Sequence, residues 1–166
     1  MSRYKLRQHL FSFGEDYTIA DDAGNAAFEV DGKVLTLRET FELKDTSGNV
    51  VATIRGRLMA LRATMDIFRG DAVVATIRKA FFAPFRAKFD IEMAGGADLR
   101  LDGSIFDHEY TLRRDDAVVA QISKRWFTLS DTYGIEVADG EDDALILAIA
   151  VALDEMAHDP DEGRDG

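Results

Sequence analysis

Ala144-Leu145-Ile146-Leu147-Ala148-Ile149-Ala150-Val151-Ala152-Leu153 is an unbroken run of ten apolar residues. Glu141-Asp142-Asp143 precedes it, placing acids where they suit the positive end of a helix dipole. Asp154-Glu155-Met156-Ala157-His158 continues it as far as Pro160, which stops it. The alanine content favours helix over strand, so a helix is predicted over about 142–157. A helix that is apolar on every side must be surrounded. With its side chains it is about 10–12 Å across, whereas a ring of eight strands is filled by its own side chains. A ring of about twelve strands is therefore required.

The rest of the chain supplies them. Period-two alternation runs from residue 16 to about 137, as in Phe28-Glu29-Val30, Phe41-Glu42-Leu43, Phe89-Asp90-Ile91-Glu92-Met93 and Ile135-Glu136-Val137. Turn signals fall between the alternating segments: Asp22-Ala23-Gly24-Asn25, Asp31-Gly32, Ser47-Gly48-Asn49, Arg69-Gly70-Asp71, Gly95-Gly96, Asp102-Gly103 and Asp115-Asp116. Connections this short make neighbouring strands antiparallel. The fold class predicted is mainly β: a closed antiparallel barrel of about twelve strands with the C-terminal helix through its centre, comparable with strand cans that hold a helix. Residues 1–158 form one domain in this reading, and residues 159–166 a disordered acidic tail.

The chain also echoes itself. Val50-Val51-Ala52-Thr53-Ile54-Arg55 returns as Val73-Val74-Ala75-Thr76-Ile77-Arg78 and as Val118-Val119-Ala120-Gln121-Ile122-Ser123. A longer echo pairs Phe28-Glu29-Val30-Asp31-Gly32 with Leu99-Arg100-Leu101-Asp102-Gly103, each followed by an aromatic-x-Leu strand and then a Val-Val-Ala strand. The pattern predicts two related β-meanders closing one sheet.

Composition narrows function. Of 166 residues none is Cys, which excludes disulfides, thiolate catalysis and cysteine-ligated metal. A net charge of −11 argues against a general nucleic-acid binder. No apolar run approaches the ~20 residues that span a bilayer, so no transmembrane segment is expected. Met1–Ile19 lacks the features of a secretory leader, so a cytoplasmic location is expected, peripheral at the membrane if the domain docks there. With 21 Asp against 10 Glu and 14 Arg against 6 Lys, two readings of the acidity stay open. One is adaptation to a high-salt cytoplasm, where salt screens self-repulsion; the other is the codon bias of a GC-rich genome.

The Val-Ala-x-Ile-x-Lys/Arg strands, then Asp131-Thr132-Tyr133-Gly134-Ile135-Glu136-Val137, an acidic turn and Leu145–Asp154, resemble the LURP-one-related family. That family belongs to the tubby C-terminal-like group, which also includes the phospholipid scramblases. The likeness covers residues 3–158 and is most specific over 118–156. It implies a twelve-stranded barrel around a hydrophobic C-terminal helix. It also implies a non-enzymatic domain and, by analogy with tubby, contact with phosphoinositides or other anionic lipids.

No catalytic constellation stands out. His9, His108 and His158 are the only imidazoles, no nucleophile elbow accompanies any Ser, and all three read as ordinary surface or strand histidines. Asp139-Gly140-Glu141-Asp142-Asp143 fails as a calcium loop because Ala144 and Ala150 stand where Gly and Glu are needed, so it reads as helix capping. No glycine pattern fits a nucleotide, and no cofactor or metal is expected. The functional lead is charge asymmetry. Residues 50–89 carry +6 and the remainder −17. Within the former, Arg78-Lys79-Ala80-Phe81-Phe82-Ala83-Pro84-Phe85-Arg86-Ala87-Lys88-Phe89 interleaves cations with rings, and Ser123-Lys124-Arg125-Trp126-Phe127 repeats the pattern. Arg55, Arg57, Arg78, Lys79, Arg86 and Lys88 are the candidate anion- or lipid-binding residues. The alternative is a protein-interaction or structural domain in which these cations pair with surface carboxylates and Phe82, Phe85 and Phe89 are core. Clustering on one face favours the first, dispersal among carboxylates the second. The expected partner is accordingly an anionic membrane surface or an unidentified protein.

Overall fold

Several hairpins of the barrel share the same devices, and the smallest parts show them best. A computed structural model describes residues 1–7, 17–32, 40–58, 60, 62–79, 89–105, 107–126 and 132–157. Its strands are β1 (Ser2–Arg7), β2 (Tyr17–Asp21), β3 (Ala26–Gly32), β4 (Thr40–Asp45), β5 (Val50–Gly56) and β6 (Thr64–Arg69). They continue as β7 (Ala72–Lys79), β8 (Phe89–Met93), β9 (Leu99–Ser104), β10 (Glu109–Arg114), β11 (Ala117–Ser123) and β12 (Thr132–Val137). The helix α1 spans Asp143–Ala157. Each strand pairs antiparallel with the next in sequence, and β12 returns to β1 (Ser2↔Val137 to Arg7↔Thr132), closing the ring. This is the expected architecture.

The β2–β3 and β4–β5 turns are copies. In the first, the Asp21 carboxylate accepts the backbone N–H groups of Ala23 and Asn25, and Gly24 adopts φ +86°. In the second, Asp45 accepts from Ser47 and Asn49, and Gly48 also adopts φ +86°. A left-handed residue closes each turn, a conformation glycine adopts without steric cost. The donated N–H of Asn49, above all, holds the Asp45 carboxyl below its usual range.

The Val-Val-Ala repeat has a structural meaning. Leu43 faces Ala52 while Lys44 faces Val50, so Val51 is an extra residue. Val74 is extra in the same way opposite Ile67 and Phe68, as is Val119 opposite Leu112 and Arg113. Each repeat thus encodes a β-bulge one step from its turn, which raises the local twist that a closing sheet needs. After each bulge the Ala is buried: Ala52, Ala75 and Ala120. These small inward residues leave room for α1, which packs most closely against β5 and β7. The longer echo places β3–β5 and β9–β11 six strands apart in a ring of twelve, half a turn of the barrel.

Inward positions such as Ile19, Leu43, Ile54, Ile67, Ile77 and Ile135 meet Ile146–Leu153, all buried. Leu145 departs from the all-round burial that the apolar run predicts. It is only partly covered, at the first turn of the helix. The last residues of the chain, 158–166, including the expected acidic tail, lie outside the described residues.

Candidate functional site: the outer face of β5 to β8

The alternation that turns Ile54, Ile67, Ile77 and Ile91 inward turns Arg55, Asp66, Thr76, Arg78, Asp90 and Glu92 outward. Register then sets them in rows. Arg55 faces Asp66, Asp66 faces Thr76 and Thr76 faces Glu92; beside them Thr64 faces Arg78 and Arg78 faces Asp90. Asp66 is the hub. Its carboxylate accepts from Arg57 through Nε at 3.1 Å and Nη2 at 2.8 Å, and from the Thr76 hydroxyl at 2.8 Å. At 8% exposure it is buried, so this two-pronged bond is the strong, oriented kind. Arg78 pairs with Glu92; that bond raises the Arg78 pKa and lowers that of Glu92. Arg62 reaches Asp90 at 3.3 Å, and the Arg55 guanidinium lies 5.4 Å from the Phe68 ring centre.

Of the six candidates, Arg55, Arg57 and Arg78 therefore share one face. They are interleaved with Asp66, Asp90 and Glu92, so the face is clustered and partly neutralised at once. Lys79, half buried at the end of β7, alternates with Arg78 and leaves the strand on the other side; its backbone N–H bonds Ala63. Arg86 and Lys88, with Phe82 and Phe85, lie outside the described residues, while Phe89 is core. The second basic–aromatic stretch sits on the same end of the barrel, after β11. Arg3 of β1 stacks over Trp126 at 4.9 Å and pairs with Glu136 at 3.1 Å, and Arg125 is 84% exposed.

The family model for LURP-one-related proteins matches residues 2–154. The chain belongs to the LURP-one-related family. It is 28% identical over 158 residues to uncharacterized protein YxjI of Bacillus subtilis (strain 168), covering 95% of this chain and 94% of that one. An X-ray structure of an Arabidopsis thaliana protein matches with a TM-score of 0.68 and 23% identity over 93% of this chain and 91% of the other. That likeness concerns the fold, and the closed twelve-stranded barrel with a central helix agrees with it. Neither relative's name attributes a catalytic activity to it.

Two further features of this LURP-one-related barrel bear on function. Asp142 caps α1, accepting from Leu145 N–H at 3.2 Å, and forms a two-pronged pair with Arg69. Asp142 is thus the capping residue of the acidic run, and the Arg69 bond holds its carboxyl below its usual range. Among the described residues no group of three or more His, Asp or Glu is placed to hold a metal, and no helix is long and apolar enough to cross a membrane. The second feature corrects the sequence reading. His108 is no surface or strand histidine. It is 1% exposed in the turn between β9 and β10, at φ +50°, with Nε2 2.8 Å from the Asp154 carboxylate of α1. Tyr133 tilts against its ring at 4.4 Å, and Tyr110 lies buried nearby. Burial, and then the Asp154 charge, push the Tyr110 hydroxyl pKa up. Gly103 makes the close packing feasible, because a Cβ there would lie 2.4 Å from the Glu109 carbonyl and 2.8 Å from the Tyr110 Cα. Sequence pattern carried no sign of the pair, since its partners are 46 residues apart.

Proposed function

We propose that the protein is a non-enzymatic binding module that presents the outer face of β5–β8 and the adjoining rim to an anionic surface, lipid headgroups foremost. The carrying observation is that Arg55, Arg57, Arg62 and Arg78 share one face at the α1 C-terminal end, while the turns of the opposite end carry acids and no Lys or Arg. A molecule so polarised orients in the field of an anionic surface before contact. The exposed Arg125 and the Trp126 ring beside it add a cation and an interfacial aromatic on the same end. Co-sedimentation with vesicles of phosphatidylcholine alone or with anionic lipid, across salt, tests this. Binding is expected to need anionic lipid and to fall with salt. Replacing Arg55, Arg62 and Arg125 by Glu is expected to weaken it on the order of a hundredfold, since each cation near the surface contributes about 1 kcal/mol.

A second reading rests on the Asp66 hub. There the cations serve the fold as ion pairs, and the domain binds protein or is purely structural. Wild-type protein that ignores anionic vesicles even at low salt would overturn the lipid reading in favour of this one.

A further inference from the structure

At the opposite end of the barrel the wall is thin. β8 and β9 share a single register pair, Ile91↔Leu99, whereas β6 and β7 pair from Thr64↔Arg78 to Arg69↔Ala72. The turn that joins β8 to β9 is Ala94-Gly95-Gly96-Ala97-Asp98, with no side chain larger than a methyl until its last residue. A Cβ added at Gly95 or Gly96 would meet nothing within 4 Å. A cleft of about 480 Å³ results, and it reaches the central helix: Val74, Met93, Leu145 and Ile146 form its apolar floor, with Val73, 40% exposed, on its lip. This explains why Leu145 escapes the burial of the residues that follow it.

The charge around the cleft names its occupant. Glu141 and Asp142 line it, and the neighbouring turns bring Asp71, Asp98, Asp115 and Asp116. The arginines that reach this rim from strand ends are engaged: Arg114 by Glu141 at 2.6 Å, Arg69 by Asp142, and Arg113 by the Asp116 carbonyl at 3.3 Å. Those pairs neutralise Glu141 and Asp142, so the acidic excess beside the cleft lies in the turn residues Asp71, Asp98, Asp115 and Asp116. An apolar pocket with an acidic border and committed arginines suits a cation-flanked aliphatic side chain. We infer that this cleft docks a basic peptide segment of a protein partner, with a Leu- or Val-sized side chain anchored on Val74, Met93 and Leu145. The site is distinct from the basic face, which lies at the other end.

A fluorescein-labelled peptide Lys-Leu-Lys-Val-Lys is the probe, read by anisotropy at 50 mM salt. Its counterpart Lys-Ser-Lys-Ser-Lys carries the charge without the anchor. The apolar peptide is expected to bind at least tenfold more tightly, and to shift the amide resonances of Ala94–Ala97 and Leu145. Ala97→Trp fills the cleft from an exposed turn and is expected to cost at least tenfold in affinity while the melting temperature holds; Gly95→Leu is an independent filling variant should the first fold poorly. Asp71→Lys is expected to weaken binding by a smaller factor. Equal binding of the two peptides, affinity indifferent to both filling variants, or no binding overturns the proposal. So does concentration-dependent self-association that Ala97→Trp abolishes, which makes the occupant a second copy of the chain. Vesicle binding by the Ala97→Trp variant is expected to match wild type, so the two sites fail separately.

Discussion

The two ends of this barrel are built from opposite materials. At the α1 N-terminal end the connections are Asp22–Asn25, Thr46–Asn49, Gly70–Asp71, Ala94–Asp98, Asp115–Asp116 and Ala138–Asp142, polar or small throughout and acidic in five of the six. At the other end β3–β4, β5–β6, β7–β8 and β11–β12 are joined by longer connections rich in Leu, Phe, Lys and Arg, while β1–β2 and the short β9–β10 connection carry no Lys or Arg. The same strands feed both ends, so strand content does not distinguish them. Tight turns are chosen for φ and local hydrogen bonds, which Asp, Gly and Asn supply. The long connections are released from that demand, and longer loops are where binding residues collect. Helix polarity matches the arrangement, its positive end among acids and its negative end toward the cations.

Four perturbations break or sharpen this contrast. The largest acts on what both ends share. Ile149→Asp puts a carboxylate into the centre of the barrel, and cooperative melting is expected to vanish in calorimetry; a soluble, cooperatively melting variant would refute the central role of α1. Next comes the interior at the basic end. His108→Leu deprives the buried Asp154 of its imidazole and is expected to cost about 3–5 kcal/mol in urea denaturation, with His108→Leu/Asp154→Leu recovering most of it.

The acidic end answers to pH. Asp142, whose folded pKa lies below its unfolded one, contributes stability that is present above about pH 4 and lost as pH falls through the folded value. Asp142→Asn keeps a capping oxygen and loses the charge, so it is expected to cost about 1 kcal/mol at pH 7 and to flatten that acid limb, read as melting temperature against pH. At the alkaline side Tyr4 behaves in reverse. Burial, then its bond to Asp143, pushes it up to about 12, so its contribution is present below about pH 10 and lost above. The smallest effect is salt. If screening of the acidic turns matters, raising KCl from tens of millimolar towards molar is expected to add about 1 kcal/mol, a few degrees in melting temperature; a flat response leaves codon bias as the cause of the acidity.

What the sequence disclosed and what it withheld follow from the range of the interactions. Alternation and turn chemistry are local, so the approximate strand number, the hairpin order and the capping role of Asp142 were legible; β1 lies before the alternating stretch, and Asp31-Gly32 and Asp102-Gly103, read as turns, are the ends of strand ladders in β3 and β9. The need to surround Ile146–Leu153 then dictated closure. The Val-Val-Ala repeat was visible too, yet its reason, an extra Val in each hairpin followed by an Ala facing the helix, emerges only with register. Register also decides the basic face: Arg55, Arg57 and Arg78 are scattered along the chain, and Asp66 becomes their neighbour only when β6 slots between β5 and β7. The His108–Asp154 pair and the cleft at Ala94–Asp98 were illegible because each depends on how α1 sits against distant strands.

The position of α1 in the chain has a temporal consequence. Every sheet pairing except β1–β12 joins consecutive strands, so hairpins can form one by one as the polypeptide leaves the ribosome, emerging at roughly 5–20 residues per second. The filling of the ring, however, follows all twelve strands. For the seconds before Ile149 emerges, the inward faces of the growing sheet have nothing to close upon. Until then those apolar faces lack the side chains that cover them in the finished barrel, and that interval is where a chaperone would find them.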